Sequence, residues 1–150
     1  MKELALGRWV FLLAGLLFAG CGGGPMPDET SVIGLHFSTS SEFADNPPPT
    51  NVDVTLTDPG PSRVIYRATL ALPDFPSGVY NCPADLGYTH TIVFTREPHA
   101  AITATLNTGG CRDATISGAP PVRQTNDPYW SLLAQNLGVD VATLFETAAQ

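Results

Sequence analysis

The chain has few charged residues, few cysteines and, beyond Lys2, no lysine. Charged side chains make up 14% of its 150 residues, against roughly 25% in an ordinary soluble domain. Three cysteines are too few for a small scaffold built from disulfides. Acidic residues number 14 against 7 basic ones, a formal charge of -7. This acidity excludes a generic nucleic-acid binder.

Common catalytic and metal-binding motifs are also missing. No GxSxG, SxxK or HExxH pattern occurs in the sequence, and these patterns mark familiar nucleophile and zinc-protease sites. No CxxC or HxxxH pair suggests a metal site. The glycine run at 22–24 precedes no helix, so it is not a phosphate-binding loop. We therefore expect no cofactor, no metal and no enzymatic activity.

The chain begins with a short apolar segment. Residues 9–18 (WVFLLAGLLF) form an unbroken apolar run behind the basic residues Lys2 and Arg8. A membrane-spanning helix needs about 20 apolar residues, so this run is typical of a secretory signal peptide.

The end of this segment carries a resemblance to a known signal. Leu17-Phe18-Ala19-Gly20-Cys21 resembles the lipobox of bacterial lipoproteins, with Phe18 where that family usually has leucine. The resemblance implies that residues 1–20 are removed and that Cys21 carries a diacylglyceryl group, since two acyl chains anchor a protein stably. An ordinary cleaved leader followed by an incidental cysteine is the alternative.

The rest of the chain is predicted to be a tether and one domain. Residues 21–31 are rich in glycine and proline and indicate a flexible tether, and residues 32–150 suit a single domain. Loss of Lys2, Arg8 and Glu3 with the leader takes the 14 acidic and 7 basic residues to 13 and 5, a formal charge of -8. No polybasic patch is left to support membrane binding, so any anchor must be Cys21.

Hydrophobic periodicity predicts an α+β fold. Alternating residues predict strands over 31–38, 51–57, 88–95, 100–106 and 111–117. Asp-Pro pairs at 58–59 and 127–128 predict two helix starts, one helix covering 59–72 and the other ending at Gly138, with a last short helix after Asp140. The expected fold is a small antiparallel meander with a helix after an early strand and one or two helices at the C-terminus.

The first predicted helix has two possible descriptions. Ile65, Ala68 and Leu72 lie at i, i+3 and i+7, flanked by Val64 and Ala71, which favours a helix with one apolar face. The same residues also alternate in part as a strand would. The cap signal and the length of the segment favour the helix.

The two remaining cysteines are expected to pair. Cys82 precedes the central predicted strand and Cys111 begins the strand two later, so both positions fall at one end of an antiparallel sheet. An exported domain folds in an oxidising compartment, which favours a Cys82–Cys111 disulfide. A metal site or a reactive thiol are the alternatives.

Several segments within residues 52–140 resemble a family of small uncharacterised bacterial secreted proteins and lipoproteins. The segments that carry the resemblance are residues 71–73, 76–78, 81–87, 108–111, 129–134 and 137–139. The resemblance supports the helix at 59–72 and the paired cysteines. It implies no catalytic residue.

Four residues are candidates for ligand binding. Phe75 and Tyr80 lie in the proline-rich segment 73–87, where proline lowers the entropy lost on binding. Arg63 and Arg67 lie four apart on the outer face of the predicted helix and suit an acidic ligand. His90 shares a strand face with apolar residues, so we expect it to be packed rather than catalytic.

These observations favour a lipid-anchored, extracytoplasmic binding module without catalysis. Its expected partners are the membrane, through Cys21, and a protein or cell-envelope ligand, but not a nucleic acid. Two alternatives remain: a secreted inhibitor that presents the 73–87 loop, and a hydrolase whose site combines scattered acids with a histidine.

Overall fold

An antiparallel sheet carries all the helices on one face in the part of the chain that the structure describes. The structure is a computed structural model, and it describes residues 28–41, 51–82 and 88–145. The strands are β1 (Val32–Ser41), β2 (Asp53–Leu56), β3 (Tyr88–Arg96), β4 (Ile102–Asn107), β5 (Asp113–Ile116) and β6 (Arg123–Gln124). The helices are α1 (Pro59–Leu70), α2 (Asp127–Leu137) and α3 (Val141–Phe145).

The strands lie in the spatial order β2-β1-β3-β4-β5-β6, and each pairs antiparallel with its neighbour. The α+β fold and the β3-β4-β5 meander are therefore confirmed. Because β2 and β3 flank β1 and both run against it, the chain must cross the sheet between them. Helix α1 makes that connection.

The strand limits differ from the prediction at several points. β1 continues to Ser41 instead of ending at Ser38, because it pairs with β3 as far as Ser41 opposite Tyr88. β5 begins at Asp113, so Cys111 lies in the turn before it. β6 was not predicted at all. The proline run at 47–49 lies outside the described residues.

Helix α1 has the predicted start but a different buried face. Asp58 Oδ1 accepts a hydrogen bond from Gly60 N at 2.8 Å and caps the helix. The side chains turned to the sheet are Ser62, Ile65, Tyr66 and Thr69. Of the predicted face, Ile65 and Leu72 are buried and Ala68 is partly buried, whereas the flanking Val64 and Ala71 are exposed.

Helix α2 is capped by Asn126 rather than by the predicted Asp127. Asn126 Oδ1 accepts a hydrogen bond from Tyr129 N at 2.9 Å, and Asp127 occupies the first helical turn. Gly138 ends the helix as predicted, in the left-handed conformation with φ 72°. Asp140 caps α3 through a 2.9 Å bond from Ala142 N, also as predicted.

The core lies between the sheet and the helices. β3 alternates as predicted, with Tyr88, His90, Ile92 and Phe94 all buried. Trp130 of α2 is fully buried, and its Nε1 donates to Thr125 Oγ1 at 3.0 Å. Because this indole N–H is satisfied, the tryptophan can be buried without leaving an unpaired polar group.

Residues 28–31, assigned to the tether, belong to the folded part. Glu29–Ser31 form one turn of 3-10 helix, capped by Asp28, whose Oδ1 accepts from Thr30 N at 2.9 Å. Ser31 is buried, and its backbone oxygen accepts from Glu97 N at 2.9 Å. The described fold thus begins before residue 32.

The Cys82–Cys111 disulfide is present, with the two Cα atoms 4.9 Å apart. It joins the end of the 51–82 segment to the turn between β4 and β5. The chain between the two cysteines includes all of β3 and β4, so the bond closes around the centre of the sheet.

Candidate functional site: a rooted loop and an open sheet edge

The first candidate surface is the loop of residues 73–82, which holds Phe75 and Tyr80. Its first residues extend the sheet beyond β6. Phe75 N donates to Val122 O at 2.8 Å, and Gln124 N donates to Pro73 O at 2.9 Å. The β6 edge is therefore covered by the loop, which is fixed by backbone hydrogen bonds where it begins.

Two further contacts fix the loop. Asp74 forms an ion pair with Arg123, and this guanidinium also donates to Leu72 O at 3.3 Å. At the other end, Cys82 is bonded to Cys111. A segment held at both ends loses less conformational entropy when a partner binds than a free loop does.

The tip of the loop exposes apolar side chains. Val79 is fully exposed and Tyr80 is 45% exposed. The Tyr80 ring meets the partly buried Phe75 ring edge-on, with centroids 5.5 Å apart, and its hydroxyl donates to Ser77 O at 2.8 Å. These contacts fix Tyr80 while leaving much of its ring open to solvent. Residues 83–87 of the predicted loop lie outside the described residues.

Arg63 and Arg67 have partners within the chain. Arg63 donates from Nε to Val32 O at 3.0 Å and from Nη2 to Thr30 O at 2.7 Å. Arg67 forms a two-bond pair with the Glu29 carboxylate, at 2.6 and 3.0 Å. The hydrogen bond from Arg67 holds the pKa of Glu29 below its ordinary value. Both arginines tie the 3-10 turn to α1, each through two of the five N–H donors of its guanidinium.

The other three arginines also have partners within the chain. Arg96 donates to Ser31 Oγ at 3.0 Å. Arg112 donates to Asp127 Oδ1 at 2.7 Å, and Arg123 pairs with the loop as described. Arg67, Arg112 and Arg123 are thus paired with carboxylates, whereas Arg63 and Arg96 donate to uncharged oxygens.

His90 is a packed histidine, as expected. It is 2% exposed, and its ring lies against Phe37 and Trp130, with centroids 5.2 and 5.7 Å away. Its nitrogens contact Thr39 Oγ1 at 2.9 Å and the Leu144 carbonyl at 3.0 Å. Burial lowers the pKa of His90, opposed by the Leu144 hydrogen bond. A hydroxyl and a carbonyl do not form an acid–base pair with it, so this is not the histidine–carboxylate site of the hydrolase hypothesis.

A histidine–carboxylate pair does occur elsewhere, and the sequence reasoning missed it. His36 Nε2 lies 3.1 Å from Asp53 Oδ1, on neighbouring strands β1 and β2, with the side chains 45% and 65% exposed. Each residue falls on the polar side of an alternating segment. The antiparallel pairing of those two segments is the signal that could have predicted this contact. It places Ser38 opposite Asp53 and His36 opposite Thr55, so that His36 and Asp53 are diagonal neighbours on one face.

This pair lies beside an open cavity of about 300 Å³ at the β2 edge. The cavity is lined by Ile33, Gly34, Leu35, His36, Thr55, Leu56, Thr57 and Thr95. The lining residues Ile33 and Gly34 lie where the register of β1 against β3 is irregular, between Val32 and Gly34. The volume is at the small end of the range for ligand sites.

No group of three or more potential metal ligands occurs within the described ranges. None of the helices described there is long and apolar enough to cross a bilayer. Cys21 lies outside the described residues.

Comparisons with known proteins find no match. No family model, no curated protein and no solved structure matches the chain. The resemblances to the lipobox and to the small secreted family therefore stay predictions.

Proposed function

We propose that the chain is a lipid-anchored, extracytoplasmic binding module without catalytic activity, which Cys21 holds at a membrane. The apolar leader and the small residues before Cys21 support the anchor. The paired cysteines are consistent with an oxidising compartment. The commitment of the arginines to internal contacts favours a partner that carries no dense negative charge.

The observation that carries the binding proposal is that the 73–82 loop is fixed at both ends. Backbone bonds to β6 and the disulfide hold its ends, while Val79 and Tyr80 are open to solvent at its tip. Exposed apolar side chains on a preordered segment suit the centre of a protein interface, where aromatic residues contribute most of the binding free energy.

A secreted inhibitor that uses the same loop is the alternative closest to this proposal. It differs in lacking the lipid and in binding an enzyme. A hydrolase is favoured by one observation only, the His36–Asp53 pair beside the β2 cavity. General base catalysis would require the reacting atom to lie within hydrogen-bond reach of His36.

The anchor is tested by fractionation of cells that produce the full chain. The Cys21→Ser variant should move from the membrane to the soluble fraction, because no polybasic segment replaces the lipid. Metabolic labelling with a fatty-acid analogue should mark the wild type and not the variant. A variant that stays with the membrane would contradict the lipid anchor.

The loop surface is tested by site-specific photocrosslinking in the same cells. A photoreactive residue in place of Val79 should give a discrete covalent adduct. The matched control replaces Val64, an exposed valine on α1, and should give none. Equal adducts at both positions, or none at 79, would contradict binding through the loop.

A further inference from the structure

A second surface lies on the opposite side of the sheet from the helices. The core side chains of β1, β3, β4 and β5 all face the helices, so the alternate residues face outward. Cross-strand register places Ser38, Thr91, Thr105 and Thr115 in one row across four strands. Asp53 of β2 pairs with Ser38 and extends this row to the sheet edge.

The neighbouring rows are of the same character. One holds Thr55, His36, Val93 and Thr103, and another holds Ser40, Thr89 and Asn107. A threonine or serine hydroxyl can donate one hydrogen bond and accept others. In the last row, Ser40 Oγ already donates to Thr89 O, and Thr89 Oγ1 donates to Asn107 Oδ1. The outward face of these strands is therefore dense in hydroxyl groups, and the residues named in these three rows include no aromatic and no basic side chain other than the imidazole of His36.

The cavity of about 300 Å³ opens at the edge of this face, with His36, Thr55 and Thr95 in its lining. Asp53 is not part of the lining, but its Oδ1 lies 3.1 Å from His36 Nε2. We infer that this cavity and the adjoining hydroxyl rows bind an uncharged glycan. A sugar ring offers alternating hydroxyl donors and acceptors on a partly apolar body. The cavity offers the imidazole of His36, which the Asp53 carboxylate contacts, and threonine hydroxyls around apolar surface from Ile33.

Charge argues against an acidic ligand here. No arginine belongs to the cavity lining, and the charged group next to the lining residue His36 is the carboxylate of Asp53. A phosphate or sulfate group would meet this carboxylate without a compensating guanidinium, at an unfavourable Coulomb energy.

An apolar peptide and a flat crystalline surface are also poor occupants. An apolar surface would cover hydroxyl groups without supplying hydrogen bonds to them, which is costly. Adjacent strands twist by roughly 20–25°, so the rows cannot match a planar lattice over five strands. A flexible glycan chain can follow the twist and satisfy the hydroxyls.

The inference rests on the proposed function only in that an extracytoplasmic module meets cell-envelope glycans. The cavity lies at the β2 edge and the 73–82 loop covers the β6 edge, which are the two opposite edges of the sheet. A failure at one site therefore does not imply a failure at the other.

The test is binding of the full chain, in a detergent without a sugar head group, to an array of oligosaccharides. The probes are neutral oligomers of glucose, mannose and N-acetylglucosamine, with sulfated and phosphorylated forms of equal length. We expect binding to a neutral oligomer at millimolar concentration and weaker binding to its charged forms. Without aromatic stacking, each sugar is held by hydrogen bonds alone, so the affinity should be low.

Variants connect the binding to the cavity. Asp53→Asn and His36→Ala should each weaken binding about ten-fold, the effect expected from one lost hydrogen bond to a charged or strongly polar group. Asp127→Asn removes an exposed carboxylate from an ion pair on the helix side and should change binding less than two-fold.

Three outcomes would overturn the inference: no binding to any neutral oligomer, stronger binding to the charged forms, or equal losses in all three variants. If glycan binding fails while the photocrosslink at position 79 forms, only the glycan site is refuted. If the glycan binds and the crosslink is absent, the loop proposal fails and the glycan site stands.

Discussion

Removal of the Cys82–Cys111 disulfide should strongly destabilise the domain. The two cysteines are 29 residues apart in sequence. In the chain-entropy model, a loop of this length stabilises the fold by roughly 3.5 kcal/mol, because it restricts the unfolded chain. For a domain of this size, that loss corresponds to a fall in Tm of roughly 10–15 °C.

The position of the disulfide gives a reason to expect the whole of this loss in stability. The closed loop contains β3 and β4, the strands that pair along the centre of the sheet. Without the bond, the unfolded chain regains freedom in the segment whose pairing organises the core. The loop of residues 73–82 also loses one of its two fixed ends.

The assay is thermal unfolding followed by circular dichroism for the Cys82→Ala/Cys111→Ala double variant. Wild-type protein in dithiothreitol should approach the Tm of the double variant. Cys21→Ser is the matched control, since it removes a cysteine outside the closed loop, and its Tm should equal that of the wild type. A double variant that melts within about 3 °C of the wild type would refute the entropic argument.

Two further changes test the packing of the sheet. Burial lowers the pKa of His90 below its ordinary value of 6.5, so the unfolded chain binds a proton that the fold resists. Stability should therefore be greatest above pH 6.5 and fall below it by at most about 1.4 kcal/mol per pH unit. The free energy of unfolding in urea, measured from pH 7.5 to 5.5, should fall less steeply with pH in His90→Gln than in the wild type. An equally steep fall would show that His90 is not the cause of the pH dependence. Gly34→Ala places a Cβ 2.7 Å from Leu56 O, which should cost about 1–3 kcal/mol in the same assay, and full stability would contradict the close approach of β2.

Local patterns in the sequence identified the elements where one face is buried. β3 was predictable because Tyr88, Ile92 and Phe94 alternate with threonines over its length. The start of α1 was predictable from Asp58, which caps it, whereas the helix ends at Leu70, two residues before the predicted limit at 72. These signals are local, and so they survive without knowledge of the tertiary fold.

The helix face, the last strand and the sites depended on distant residues. Tyr66 is buried because it packs edge-on against Phe94, with centroids 5.1 Å apart, a contact that the spacing within α1 does not reveal. β6 has only two residues and no alternation to detect. It exists because β5 and the 73–82 loop pair with it on both sides.

The internal partners of Arg63 and Arg67 also depended on distant residues. Arg63 and Arg67 lie on the outer side of α1, which is where a ligand-binding cation would be expected. Their partners are Thr30, Val32 and Glu29, more than 30 residues earlier in the chain. Only the return of the N-terminal turn against α1 converts these side chains from candidate ligands into internal contacts.

The use of the arginines also limits how the protein can bind. Arg63 and Arg67 join the first turn to α1, Arg112 joins the disulfide turn to α2, and Arg123 joins β6 to the loop. A partner that displaced one of these guanidinium groups would have to compensate for the contact it broke inside the domain. The loop of residues 73–82 offers apolar side chains, and the outward face of the sheet offers hydroxyls. Binding at neither surface requires a free positive charge. Binding at both surfaces should therefore be governed by apolar burial and by hydrogen bonds to uncharged groups of the ligand, which salt screens far less than it screens contacts between charges.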